Sequence, residues 1–327
     1  MSIKIIKSGV LTTLQDGGRK GYRSMVIGSG GVMDIFAMSV ANYLTGNNET
    51  AAVMEINFPA PEILFQQDAL ISVTGADFLA TINGSALPMW KALFVQKDSL
   101  LKFTQPAHGT KLYLAVHGGF KADNWLNSYS THLKVGAGGY QGRALQKDDI
   151  LNFNKTDFSC NENKILPWSI AQQVLDKIYL PQNSIRCIKS AEWNLMDEVA
   201  KLNFIDIDFT ISNQSDRMGN RLNGQPLLLQ HPAEIISSAV DAGTVQLLPS
   251  GNCIVLMADH QTTGGYPRIA AVIKAELPKF TQIKPGQSFK FTIVSLQEAE
   301  DALLVMQQTL HDIKNACHLN IKKYLYH

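Results

Sequence analysis

Residues 61–104, PEILFQQDALISVTGADFLATINGSALPMWKALFVQKDSLLKFT, hold five short apolar runs: Ile63-Leu64-Phe65, Leu70 to Val73, Leu79 to Ile82, Leu93-Phe94-Val95 and Leu100 to Phe103. Turn-forming residues separate them about every ten positions, a spacing that builds a barrel or sandwich rather than a parallel α/β sheet. The fold is therefore expected to be mainly β with a few helices.

Working outward, the same signals recur further along the chain. Ser2-Ile3-Lys4-Ile5-Ile6-Lys7-Ser8 matches Ser184-Ile185-Arg186-Cys187-Ile188-Lys189-Ser190 in character, position for position. Lys97-Asp98-Ser99-Leu100-Leu101-Lys102-Phe103-Thr104 resembles Pro285-Gly286-Gln287-Ser288-Phe289-Lys290-Phe291-Thr292. Between these echoes, Ala69 to Asp77 falls opposite Cys253 to Asp259, each an apolar strand running to an aspartate. Echoes in one order imply an internal duplication with units at 1–180 and 181–327, and 327 residues suffice for about two domains.

Gly28-Ser29-Gly30-Gly31 leads into an amphipathic helix over 33–44, with Phe36, Val40 and Tyr43 or Leu44 at helical spacing and Gly46 suited to the C-terminal cap. Asp34 in its first turn reads either as a helix-start acid or as a site residue. Lys111 to Gly119 is a further strand, in which His117 is equally a core partner or a site residue. Gly136-Ala137-Gly138-Gly139-Tyr140-Gln141-Gly142-Arg143 has neither dinucleotide nor P-loop spacing, so it reads as a connection, with anion binding through backbone amides as the alternative. Pro167 to Leu180 is expected to be a helix and linker. From Gln297 onward a closing helix is expected, its Ala302-Leu303-Leu304-Val305-Met306 run packed into the core.

With 45% apolar and 17% charged residues, the composition is that of a compact globular chain. The 29 basic residues balance 28 acidic ones, which gives no electrostatic reason to expect nucleic acid or an anionic membrane as partner. No apolar stretch has the length of a membrane span and the start lacks a signal-peptide pattern, so the expected location is the cytoplasm. Cys160, Cys187, Cys253 and Cys317 are scattered and form no CxxC pair, which points to buried reduced thiols rather than disulfides or a metal site.

The chemistry-bearing residues concentrate late in the chain. Ile254-Val255-Leu256-Met257 reads as a strand buried on both faces, yet Ala258-Asp259-His260-Gln261-Thr262-Thr263-Gly264-Gly265-Tyr266-Pro267 follows it directly. That loop gathers a carboxylate, an imidazole, a carboxamide, two hydroxyls and a phenol, with glycines that permit positive φ or close approach to a ligand. The alternative is an ordinary turn in which Asp259 and the threonines bond their own backbone. Upstream, Asp216, Arg217 and Arg221 share one short polar segment. Arginines four apart would present two guanidinium forks on one helical face to a carboxylate or phosphate, or else pair internally with Asp216.

Several segments together resemble the carboxyltransferase-type family that includes the C subunit of 5-oxoprolinase, the KipA proteins and the carboxyltransferase part of urea carboxylase. They are Leu14 to Gly18, Ser29 to Asp34 with Ala41-Asn42, Thr74 to Asp77, Tyr113 to Gly119, Gly138 to Leu145, Ser215 to Leu222, Gly243 to Gln246, and Asp259 with Gln261 to Pro267. The chain departs from the family pattern at His260 and Tyr129, where arginines are usual, and at Gly31-Val32, Asn127 and Ser190-Ala191. The resemblance implies two cyclophilin-like β-barrel domains facing a shared cleft. It also implies a subunit of an ATP-dependent 5-oxoprolinase that hydrolyses 5-oxo-L-proline to L-glutamate, with ATP used by the complex and KipI-like and LamB/YcsF-like chains as partners. Two alternatives follow from the same family: a biotin-dependent carboxyltransferase subunit, with biotin carried by another chain, or a KipA-type antagonist of a kinase inhibitor. Opening a lactam calls for an acid or base and for charge stabilisation at the oxyanion. Asp259 and Tyr266 are the expected catalytic groups; Gln261, Thr262, Thr263, His260 and Asp34 are expected to bind substrate, with Arg217 and Arg221 as carboxylate anchors. With no P-loop, metal-ligand cluster or nucleophile elbow in view, the chain alone is expected to be inactive.

Overall fold

The computed structural model describes residues 1–154, 162–181, 183–231 and 235–325, so Cys160 lies outside the described residues. The chain divides into two compact units. One comprises Met1–Arg19, Gly30–Val174 and the segment from Gln308; the other comprises Lys20–Ser29 and Leu175–Gln307.

In the first unit the strands are β1 (Ser2–Lys7), β2 (Thr12–Gln15), β3 (Val53–Ile56), β4 (Glu62–Phe65), β5 (Ala69–Asp77), β6 (Ala80–Ile82), β7 (Ser85–Ala86), β8 (Lys91–Val95), β9 (Leu100–Phe103), β10 (His108–Val116), β11 (Ile150–Asn152) and β12 (Lys164–Ser169). They form two six-stranded sheets, ordered β11-β1-β4-β9-β6-β7 and β12-β8-β5-β10-β3-β2. Their apolar side chains, among them Ile5, Ile63, Phe65, Val73 and Leu101, meet in one core. Helix α1 (Ile35–Leu44) lies against β5, and the Ser72 and Thr74 hydroxyls donate to the Ala41 and Ala37 carbonyls at 2.7 Å. The helix is buried almost all round rather than amphipathic, which is why Ser39 and Asn42 are also inside. Gly46 follows its C-cap with φ +72°, a left-handed value that glycine takes without strain. His117 takes the core alternative, its Nδ1 donating to the Thr45 carbonyl at 2.6 Å at that helix end.

The second unit is a closed seven-stranded barrel. Its strands are β13 (Ser184–Lys189), β14 (Phe209–Ile211), β15 (Gly219–Asn223), β17 (Thr244–Leu247), β18 (Cys253–Leu256), β20 (Arg268–Val272) and β21 (Ser288–Ile293), with a separate ribbon of β16 (Ser238–Ala239) and β19 (Thr263–Gly264). Closure comes from β21, parallel to β13 and antiparallel to β14. Aromatic packing fills this barrel: Phe204 of helix α3 (Glu198–Asp206) stacks on Phe291 with ring centres 4.7 Å apart, and Phe209 and Phe289 complete the cluster.

The expected mainly β chain with a few helices is what the structure shows. The echoed strands β1 and β13 have equal length and the same alternation of burial, although β1 lies between two antiparallel neighbours. Three local expectations change. Pro167 sits in the edge strand β12, beside a break in its pairing with β8, because an edge tolerates a residue without N–H; helix α2 begins only at Gln172 and runs to Tyr179. Arg217 and Arg221 share no helical face, because the segment is a turn that enters β15. In the last helix, which follows α4 (Leu277–Thr281) as α5 (Leu296–Leu325), Leu304 and Val305 are exposed at 62% and 64%, and Met306, Ile313, Cys317 and Ile321 form the buried stripe. Among the described residues no helix is long and apolar enough to cross a membrane.

Candidate functional site

The polar loop after β18 is tied back to the turn before β15. The Asp259 N–H donates to the Arg217 carbonyl at 2.8 Å, and the Met257 N–H to the Met218 carbonyl at 3.0 Å. The side chains repeat this tie. Arg217, 6% exposed, donates from Nε to Asp259 Oδ2 at 2.8 Å and from Nη2 to Oδ1 at 3.2 Å. The carboxylate expected as acid or base and the guanidinium expected as anchor hold each other. Asp216 takes no part in that pair, and its Oδ1 instead caps the turn by accepting from the Met218 and Gly219 N–H groups.

His260 is buried. Its Nδ1 donates to the Gln261 carbonyl at 2.6 Å, so the neutral ring carries its lone pair on Nε2, which stands 3.8 Å from Asp241 Oδ1. Burial pushes its pKa below the ordinary 6.5 because the charged form loses solvation. Thr262 is buried and Thr263 exposed, the latter in the ribbon opposite Ala239. Gly264 and Gly265 do not use positive φ; at Gly264 a Cβ would overlap Gln246 Nε2, so this glycine serves close approach.

A cleft of ≈ 460 Å³ opens in the barrel unit. Arg221, Asp216, Gln214, Gln246, Gln261 and Tyr266 give it its polar lining, with Met218, Ile254 and Leu256 on its apolar wall. Tyr266 also borders a larger cleft of ≈ 700 Å³ walled by Leu227, Leu228, Ile235, Leu247 and Leu248. The first offers what small polar ligands need, a cation for a carboxylate and carboxamides for a C=O or N–H. Of the residues singled out in the sequence, Arg221, Gln261 and Tyr266 line this cleft. Gln246 ends one of the stretches that carry the family resemblance but is not among the site residues expected from the sequence; its signal is a polar side chain inside the apolar strand Thr244–Leu247.

Asp34 belongs to the first unit and caps α1, its Oδ1 accepting from the Ala37 N–H at 2.9 Å. Its own N–H donates to the Tyr113 hydroxyl, which donates to Glu55 Oε2, each at 2.8 Å. Burial, then the charges of Glu55 and Asp34, raise the Tyr113 pKa well above 10. The glycine-dense loop is closed on itself: the Gly136, Gly139 and Gly142 N–H groups donate to His132, Asp123 and Gly138 carbonyls, and Arg143 grips Asp149 through two nitrogens at 2.7 and 2.8 Å. Those three amides and the arginine are engaged within the loop. Cys187, Cys253 and Cys317 are free and buried, with thiol pKa values pushed up to about 12 by desolvation.

The chain is thus a mainly β protein whose closed barrel carries a small polar cleft. The chain belongs to the family of the carboxyltransferase domain, subdomain A and B, whose sequence model matches residues 25–293. It is 38% identical over 297 residues to the 5-oxoprolinase C subunit of Escherichia coli (strain K12), covering 91% of this chain and 93% of that protein. It is 27% identical to the urea amidolyase of Saccharomyces cerevisiae, of which it spans only 17%. The solved urea carboxylase of Kluyveromyces lactis shares the fold with a TM-score of 0.88 at 23% identity, over 95% of this chain and 29% of that one.

Proposed function

We propose that this chain is the C subunit of a 5-oxoprolinase that hydrolyses 5-oxo-L-proline to L-glutamate. The observation that carries the reading is the mutual coverage: 38% identity spans nearly all of both this chain and a 5-oxoprolinase C subunit, whereas the urea amidolyase relative is several times longer. Water adds to the lactam carbonyl carbon, the ring C–N bond breaks, and the nitrogen takes a proton. In the cleft, Arg221 receives the substrate carboxylate, Gln261 bonds the lactam edge, and Tyr266 offers a hydroxyl beside the reacting carbonyl. The Arg217–Asp259 pair fixes the loop that carries Gln261 and Tyr266. ATP is assigned to the complex, and the Arg143–Asp149 pair that holds the glycine loop's arginine supports placing its phosphates on the KipI-like or LamB/YcsF-like partner. The test is co-purification with those partners and an ATP-dependent assay of glutamate formation, in which a complete complex without turnover would overturn the reading.

A second reading, a biotin-dependent carboxyltransferase subunit, is favoured by the family match. A biotin carried by another chain presents a ureido ring, and the carboxamides of Gln246 and Gln261 would hold its N–H and C=O groups as they would a lactam.

A further inference from the structure

Gln246 is 1% exposed and stands on β17 at the lining of the polar cleft. Its Nε2 is sealed from solvent and has no hydrogen-bond partner among the described residues. A buried donor without an acceptor is uncommon and calls for an explanation. The surroundings are shaped around it. Gly264 lies over the amide nitrogen with ordinary φ, and any side chain there would overlap Nε2. The glycine is therefore explained by clearance for this carboxamide and not by backbone geometry.

Building on the lactam reading, we infer that Gln246 is the donor for the ligand's carbonyl oxygen, a cyclic amide or urea C=O seated between Arg221, Gln261 and Tyr266. The terminal torsion of a glutamine is broad, so a half-turn carries Nε2 from Gly264 towards the cleft. That turn costs the nitrogen no hydrogen bond to the described residues, because it makes none with them. A donor at this place strengthens its bond as negative charge develops on the carbonyl oxygen.

The variant Gln246→Met keeps length and volume and removes the amide. Two readouts are taken, the melting temperature of the full chain and ATP-dependent 5-oxoproline turnover by the reconstituted complex. The expected result is a melting temperature equal to or above that of the unsubstituted protein, together with a fall in kcat on the order of a hundredfold. A fall in melting temperature of more than about 2 °C would overturn the inference, since it would show the amide paired in the folded chain. So would turnover within about twofold of the unsubstituted complex. An unsubstituted complex with no 5-oxoproline turnover overturns the functional reading itself, and the lactam assignment of Gln246 with it. As a control on geometry, Gly264→Ala should lower the melting temperature alone and cost less in the Gln246→Ala background, where the space is vacated.

Discussion

The Arg217–Asp259 pair joins residues 42 positions apart, and both partners are largely buried. Asp259→Asn keeps one acceptor but leaves a buried guanidinium without its counter-charge, so unfolding stability should fall by about 2 kcal/mol in urea titrations. Because the loop carries Gln261 and Tyr266, turnover should fall with it; unchanged stability with lost turnover would restore Asp259 as an acid or base. His260 allows a pH prediction. Its folded pKa lies below 6.5 and its unfolded pKa near that value, so between the two the unfolded chain binds more protons. The contribution is complete above about pH 6.5 and is lost as pH falls below it. The melting temperature of His260→Gln measured from pH 5 to 7.5 should accordingly fall less steeply towards acid than that of the unsubstituted chain.

At the scale of elements, α1 separates structural from functional carboxylates. Asp34→Asn preserves an N-cap acceptor and should leave stability within a few tenths of a kcal/mol, whereas Asp34→Ala should cost about 1 kcal/mol in thermal unfolding. Loss of turnover in the stable Asn variant would return Asp34 to the site. The strands of residues 61–104 are readable because alternating apolar runs between turns have one local solution, and Gly46 marks the helix end through its backbone freedom. Pro167 misleads because a proline at an edge strand and one at a helix start look alike in sequence; the difference is made by β8, its distant pairing partner. Arginines at 217 and 221 suggest one helical face, but the period depends on Asp216 closing a turn that starts a strand. For the site, Arg221, Gln261 and Tyr266 are legible as polar groups in a short stretch. Gln246 is not, since a buried glutamine acquires meaning only from Gly264 on the ribbon packed against its amide.

At the scale of the molecule, the groups that 5-oxoproline hydrolysis requires divide unevenly. The cleft supplies a cation, carboxamides and a phenol, the groups that the proposed function assigns to holding a lactam acid and polarising its carbonyl. Coupling to ATP demands a cradle for a polyphosphate, and the loop richest in glycine here has its Gly136, Gly139 and Gly142 amides bonded to the His132, Asp123 and Gly138 carbonyls and its arginine bonded to Asp149. Freeing that loop would forfeit the ion pair that lowers the Asp149 pKa and the turns around Gly138 and Gly142, at positions where an added Cβ would strike Ser130 or Gly136. The purified chain given ATP and 5-oxoproline should therefore form no glutamate, and adding the KipI-like and LamB/YcsF-like chains should start the reaction. Arg221→Ala in that complex should raise the KM for 5-oxoproline by about tenfold or more, while a lactam lacking the carboxylate should be affected little. Glutamate formation by the chain alone would place the ATP site on it, and equal KM effects on both lactams would remove Arg221 from carboxylate recognition.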